Sequence, residues 1–163
     1  MPPVPAAPSG FHLAQINVAL ARDAMDSATM RGFVARLAEI NALADRADGF
    51  VWRLQDDHGD ATAIQAFDDP RLLVNMSVWT GIEPLRHYVY KSLHVELIRD
   101  RDAWFDKLRE AHQALWWVPA GHRPTPQEGR ARLEHLRAHG PTDRAFTFAR
   151  PFARPDGPVT ALG

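Results

Sequence analysis

The sequence contains no cysteine. Disulfides, Cys-ligated zinc, iron–sulfur clusters and thiolate nucleophiles are therefore excluded. Lysine is scarce as well: Lys91 and Lys107 are the only two among 19 basic residues, the rest being arginine. Arginine pairs bidentately with carboxylates and stacks on rings, although the same bias accompanies Ala-rich chains from GC-rich genomes. An excess of one charge is also missing, the formal net charge being −1. Bulk electrostatics thus supply no reason to expect nucleic acid or an anionic membrane as a partner. No stretch approaches the roughly 18 apolar residues of a membrane span. The opening MPPVPAAPSG has neither the positive start nor the apolar run of a signal peptide. It reads as a disordered Pro-rich arm over residues 1–10, and the protein as cytoplasmic.

What the chain does have is length and large aromatics. Its 163 residues are 45% hydrophobic, enough for one domain that buries roughly 70% of its unfolded surface without staples. That domain is expected over residues 11–154, with a flexible tail at 155–163. Five Trp and eight Phe stand against two Tyr, so the indoles are the compositional feature to place.

Two periods alternate along the body. His12 to Leu20 alternates with period two, setting Leu13, Gln15 and Asn17 against Ala14, Ile16 and Val18, and predicts a strand. Met30, Phe33, Val34, Leu37, Ile40, Leu43 and Ala44 recur at helical spacing, with Asp26, Ser27 and Thr29 offering N-cap oxygens and Asp48–Gly49 a stop. Phe50 to Gln55 predicts a second strand, with Phe50, Trp52 and Leu54 on one face, and Leu72 to Trp79 a third. A long helix is expected from about Glu83 to Leu108. Ala114 to Val118 predicts a fourth strand, Thr125–Pro126 with Glu128 a capped helix ending at Gly140–Pro141, and Ala145 to Phe152 a short edge strand. A twice-repeated βαβ order is the α+β, ferredoxin-like split βαβ arrangement, an antiparallel sheet with helices on one face. Its other face is expected to be buried by a second copy, giving a homodimer.

The blocks Leu13–Asn17 (LAQIN), Gly49–Leu54 (GFVWRL), Asn75–Trp79 (NMSVW) and Leu115–His122 (LWWVPAGH) resemble an uncharacterised bacterial family, domain of unknown function 3291. The resemblance covers roughly residues 11 to 152. It implies the dimeric α+β barrel of the antibiotic-biosynthesis-monooxygenase superfamily, which includes cofactor-free oxygenases of aromatic polyketides, haem-degrading enzymes and members without a known reaction. Fold alone does not choose among these. Haem-degrading relatives use an Asn on the first strand with a Trp and a His on a following helix. Asn17 matches the first, but Tyr88 or Val89 stands at the Trp position and Ile98 near the His, which counts against haem degradation.

On the long helix His87, Tyr90, His94, Ile98 and Arg101 fall on one face. His87 and His94 lie about 10 Å apart along it, too far to chelate one metal. His94 is the expected acid/base, with Tyr90 and Asn17 as partners. Gln15, Asn17, Asn75 and Ser77 bring amides and a hydroxyl to strand faces, where they either hold a substrate oxygen or line an interface between sheets. Trp116 and Trp117 must face opposite sides. Trp52, Trp79, Trp104 and Trp117 are expected cavity walls for a flat aromatic ligand, with Arg53 and Arg101 as anion partners. His135 and His139, at i and i+4 near a helix C-terminus, read as structural, and Asp56, Asp57 and Asp60 as a hydrated turn. The expected function is a small-molecule enzyme that oxidises or cyclises an aromatic or polyketide-like substrate without a cofactor. The alternatives are a non-catalytic ligand-binding module and a haem-dependent enzyme with His94 as axial ligand.

Overall fold

The computed structural model describes residues 10–55, 62, 64–93 and 101–155. The expected Pro-rich arm, the acidic turn at 56–60 and most of the expected tail lie outside these residues. In chain order the elements are β1 (Phe11–Ala21), α1 (Arg31–Asp45), β2 (Phe50–Arg53), β3 (Leu72–Trp79), α2 (Ile82–Leu93), α3 (Arg101–Trp104), β4 (Phe105–Asp106), β5 (Gln113–Pro119) and α4 (Pro126–His139).

The long strands lie in the order β2-β3-β1-β5, with β4 pairing only the C-terminal end of β1, and every pairing is antiparallel. This is the ferredoxin-like α+β sheet. Register follows the period-two pattern: Gln15 sits opposite Ser77 and Leu115, and Asn17 opposite Asn75 and Gln113. One face of the central strands is thus polar in two consecutive rows.

The other face is apolar from Ala14 to Val18, and here the structure corrects the sequence reading. Ala14, Ile16 and Val18 join Val74, Met76, Val78 and Trp116 in one buried cluster, which α4 covers through Leu133 and Leu136. The helices therefore lie on both faces, and the face expected to need a second copy is covered within the chain. Close approach explains the fit: a Cβ on Gly129 of α4 would stand 2.9 Å from Ile16 Cδ1 and from Met76 Sδ. The ends of α4 are those the sequence predicts. Thr125 accepts from the Glu128 amide, Pro126 opens the helix, and Gly140 closes it at φ 72°.

Two further expectations change. The helix from Glu83 to Leu108 does not form as one element, because Phe105 and Asp106 pair with β1 and the Arg22 amide donates to the Trp104 carbonyl. Burial of Trp104 beside Ala21 and Met30 drives that turn back to the sheet. The expected edge strand at 145–152 reduces to two isolated bridges, Ala145 with Thr142 and Phe146 exchanging both backbone hydrogen bonds with Leu115. At α1 the N-cap is Met30 without a side-chain cap; Ser27 Oγ instead accepts from the Met30 amide at 3.3 Å.

Candidate functional site

Helices α1 and α2 cross the polar sheet face without filling it. Between them lies a cavity of about 400 Å³. Its floor is the two polar rows, its roof Leu37, Ile40 and Ala44 of α1, and its ends Trp79 with Tyr88 and Phe33 with Trp104. The rings are braced. Trp79 stacks on Tyr88 at 5.0 Å and meets Phe50 edge-on at 5.5 Å, while Phe33 tilts against Trp104 at 5.8 Å.

The floor is one hydrogen-bonded cluster. Gln15 Nε2 donates to Asn75 Oδ1 and to Ser77 Oγ, each at 2.8 Å, so both its hydrogens are spent. Asn17 Nδ2 donates to Gln15 Oε1 at 3.2 Å and to Asn75 Oδ1 at 3.4 Å. Trp79 Nε1 adds a second bond to Ser77 Oγ at 2.8 Å. Ser77 oxygen therefore accepts twice, which leaves its O–H proton to donate, and Asn75 keeps its Nδ2 hydrogens uncommitted among the described residues. Asn17 Oδ1 is the matching acceptor. A carbonyl or phenolate oxygen fits two such donors in a half-apolar enclosure, where hydrogen bonds to charge are stronger than in water.

His112 stands at the cavity edge, just before β5, its carbonyl taking the Val18 amide at 2.9 Å. Desolvation lowers its pKa from the ordinary value, and the guanidinium groups of Arg101 and Arg137 lower it further. The neutral imidazole is favoured, which is the form that accepts a proton.

The cavity gathers many of the residues singled out from sequence: Gln15, Asn17, Arg53, Asn75, Ser77, Trp79, Arg101 and Trp104 all line it. Three others lie elsewhere. Tyr90 is 62% exposed on the outer side of α2, where His87 is exposed too, and Tyr88 takes the inner position. Trp52 faces the α4 side, because a bulge between Phe50 and Trp52 shifts the alternation by one residue. The same bulge sets Arg53 opposite Ser77. Trp117 lies against Phe146 and donates its indole N–H to the Phe152 carbonyl, covered by the C-terminal segment. His94, the expected acid/base and haem ligand, lies outside the described residues. Sequence reasoning passed over His112, Gln113 and Asn41, and weighed Tyr88 only as the residue at the Trp position of haem-degrading relatives. For His112 no periodic signal existed, because it precedes the strand whose first residue, Gln113, pairs with Asn17.

Among the described residues no group of three or more His, Cys, Asp or Glu side chains is arranged to hold a metal ion. His135 and His139 have ring centroids 4.6 Å apart, but His135 Nε2 is engaged by Thr142 Oγ1 at 2.9 Å. No described helix is long and apolar enough to cross a membrane.

The sequence profile of a family described as domain of unknown function 3291 matches residues 12–161. No curated protein matches the sequence. Two solved structures are similar, both of SnoaB, a cofactor-independent oxygenase from Streptomyces nogalater, one of them a point variant. The variant is 16% identical with a TM-score of 0.43, covering 69% of this chain and 95% of its own. The other is 16% identical with a TM-score of 0.42, covering 71% and 97%.

Proposed function

We propose that this chain, which belongs to the family of domain of unknown function 3291, is a small-molecule enzyme that deprotonates a flat, oxygen-bearing aromatic substrate. The observation that carries this reading is the hydrogen-bonded cluster of Gln15, Asn17, Asn75 and Ser77 in the floor of an otherwise largely apolar cavity. A substrate oxygen accepts from the Ser77 hydroxyl and the Asn75 amide. His112 takes a proton from a phenol or an activated methylene, and the developing charge settles on the oxygen those donors hold.

The resulting carbanion has two balanced fates. With dioxygen as co-substrate, a methylene and one O2 give a carbonyl and one water. Without it, attack on a carbonyl of the same molecule closes a ring, and the proton returns to the new alkoxide. No bound cofactor enters either route. The setting is the cytoplasmic one expected from the sequence.

Oxygen uptake and product formation are measured with a panel of anthrones and electron-rich polyhydroxyaromatics. His112→Ala is expected to lose on the order of 10²-fold or more in kcat, with far-UV circular dichroism unchanged. Thermal stabilisation by these compounds without any product identifies a non-catalytic binding module instead. Turnover unaffected by His112→Ala removes the imidazole from the reaction.

A further inference from the structure

The charge of the cavity lining differs sharply from that of the chain. Over the whole sequence 20 acidic residues balance 19 basic ones. Among the described residues that line the cavity there is no Asp or Glu, whereas Arg53, Arg101 and His112 are all present. Arg53 is already engaged: its Nε donates to Asp45 Oδ1 at 2.8 Å and its Nη2 to Asp45 Oδ2 at 3.4 Å, a two-pronged pair at the cavity rim. The guanidinium of Arg101, at the start of α3, makes no ion pair or hydrogen bond with a described residue. A guanidinium always carries its charge and presents its donors in a plane that matches a carboxylate.

Position adds direction. Arg101 belongs to the segment that leads through Trp104 and Phe105 to the C-terminal end of β1. Ser77 sits toward the other end, opposite Gln15, and Asn75 and Asn17 form the row between. Successive rows on one face are about 7 Å apart. An elongated flat molecule thus meets neutral donors over its middle, Ser77 and the Asp45-paired Arg53 at its far end, and the Arg101 guanidinium at its near end. We infer that the substrate class is a flat aromatic carboxylate, its acid group held by Arg101 beside His112 and its ring oxygen by Ser77 and Asn75. This deepens the proposed function and rests on its cavity.

The anion also acts on the base. The positive charge of Arg101 is one cause of the lowered His112 pKa, and a carboxylate paired with Arg101 offsets it. Binding of the acid therefore makes His112 more basic at the moment it is needed, whereas an uncharged analogue leaves it as it is.

The test compares 1-hydroxy-2-naphthoate with its uncharged isostere 1-hydroxy-2-naphthamide, by calorimetry and by quenching of indole fluorescence. The full-length chain is expected to bind the acid at least tenfold more tightly, with a preference that shrinks as salt is raised. Arg101→Gln is expected to bring the acid down to the affinity of the amide and to leave the amide within twofold. Arg101→Lys is expected to keep part of the preference. Ser77→Ala should weaken both ligands by the same factor. Equal affinities in the unaltered protein, or a preference that survives in Arg101→Gln, overturn the carboxylate assignment and leave the cavity reading standing. Failure of both ligands to bind overturns the cavity reading and the assignment together.

Discussion

Trp79 donates its indole N–H to the hydroxyl of Ser77, two residues back on the same strand face, at 2.8 Å. The indole is fully buried and Ser77 is 6% exposed, so water offers no substitute partner. One bond thereby joins the aromatic end of the cavity to its amide floor. It also dictates that the serine oxygen accepts, since an indole nitrogen has no lone pair to offer.

Ser77→Ala follows as the first test. It leaves the Trp79 N–H without its acceptor and frees one Gln15 hydrogen, costing about 1–3 kcal/mol for the buried donor. Urea denaturation of Ser77→Ala, Trp79→Phe and the double variant measures it. The double loss is expected to be smaller than the two single losses together, because removing the indole N–H removes the orphan. Strict additivity would show that the bond contributes nothing.

Much of this site is legible before any coordinates. Period two in LAQIN and NMSVW places Gln15 with Asn17 and Asn75 with Ser77 on shared faces, and antiparallel pairing does the rest. Capping chemistry at Thr125 and Gly140 likewise fixes α4 to the residue. What escapes is information that local pattern does not carry. A bulge of one residue reverses Trp52 and Arg53, and no alternation rule announces it. The docking of α4 on the apolar face is a tertiary choice, since the same apolar face would suit a second copy equally well. By contrast, Tyr88 falls three residues after Leu85 on α2's apolar stripe, whereas Tyr90, five after it, lies off that stripe and is exposed. His112 carries no periodic signal because it precedes its strand.

His12 offers a stability test outside the cavity. Its Nδ1 is buried and has no hydrogen-bond partner among the described residues, which costs of the order of 1–3 kcal/mol for an unsatisfied polar atom. The residue pairs with Val118 on the α4 side of β1. His12→Phe keeps the ring shape and removes the orphan nitrogen. Its unfolding free energy is expected to equal or exceed that of the unaltered chain by about 1 kcal/mol. A loss of more than about 1 kcal/mol in urea would mean that the nitrogen has a stabilising partner.

The pH response follows from His112 and His135, both of whose pKa values lie below the ordinary 6.5. For His112 the causes are desolvation, then Arg101, then Arg137; for His135 desolvation leads, with His139, Arg144 and Arg132 adding and Asp143 opposing. A lowered folded pKa means that the unfolded chain binds the proton first. The stability contribution is complete above 6.5 and is lost as pH falls through the folded values. Melting temperature should therefore decline below that pH. NMR titration of the His112 ring should show its midpoint moving upward in Arg101→Gln. An unmoved midpoint would show that Arg101 does not reach the ring.

Gly49 makes the sharpest backbone prediction. It lies at φ +81° just before β2, and its carbonyl takes the Thr80 amide at 2.8 Å. Only glycine holds that φ without strain, and a side chain there costs roughly 1–2 kcal/mol on conformation alone. Space is lacking too: an added Cβ would collide with Pro84 Cβ and stand 2.7 Å from Thr80 Oγ1. Pro84 lies in the first turn of α2 and cannot shift without moving Leu85, Tyr88 and Val89, which line the cavity. Gly49→Ala is thus expected to destabilise the fold by more than about 2 kcal/mol and to weaken aromatic ligands beyond the effect of reduced folded population. Gly121, also at positive φ but with nothing within 4 Å of its would-be Cβ, serves as the control. Gly121→Ala should cost only the conformational strain, about 1–2 kcal/mol, and leave ligand affinity untouched. If the two variants lose equal stability, the contact of Gly49 with Pro84 does not position α2.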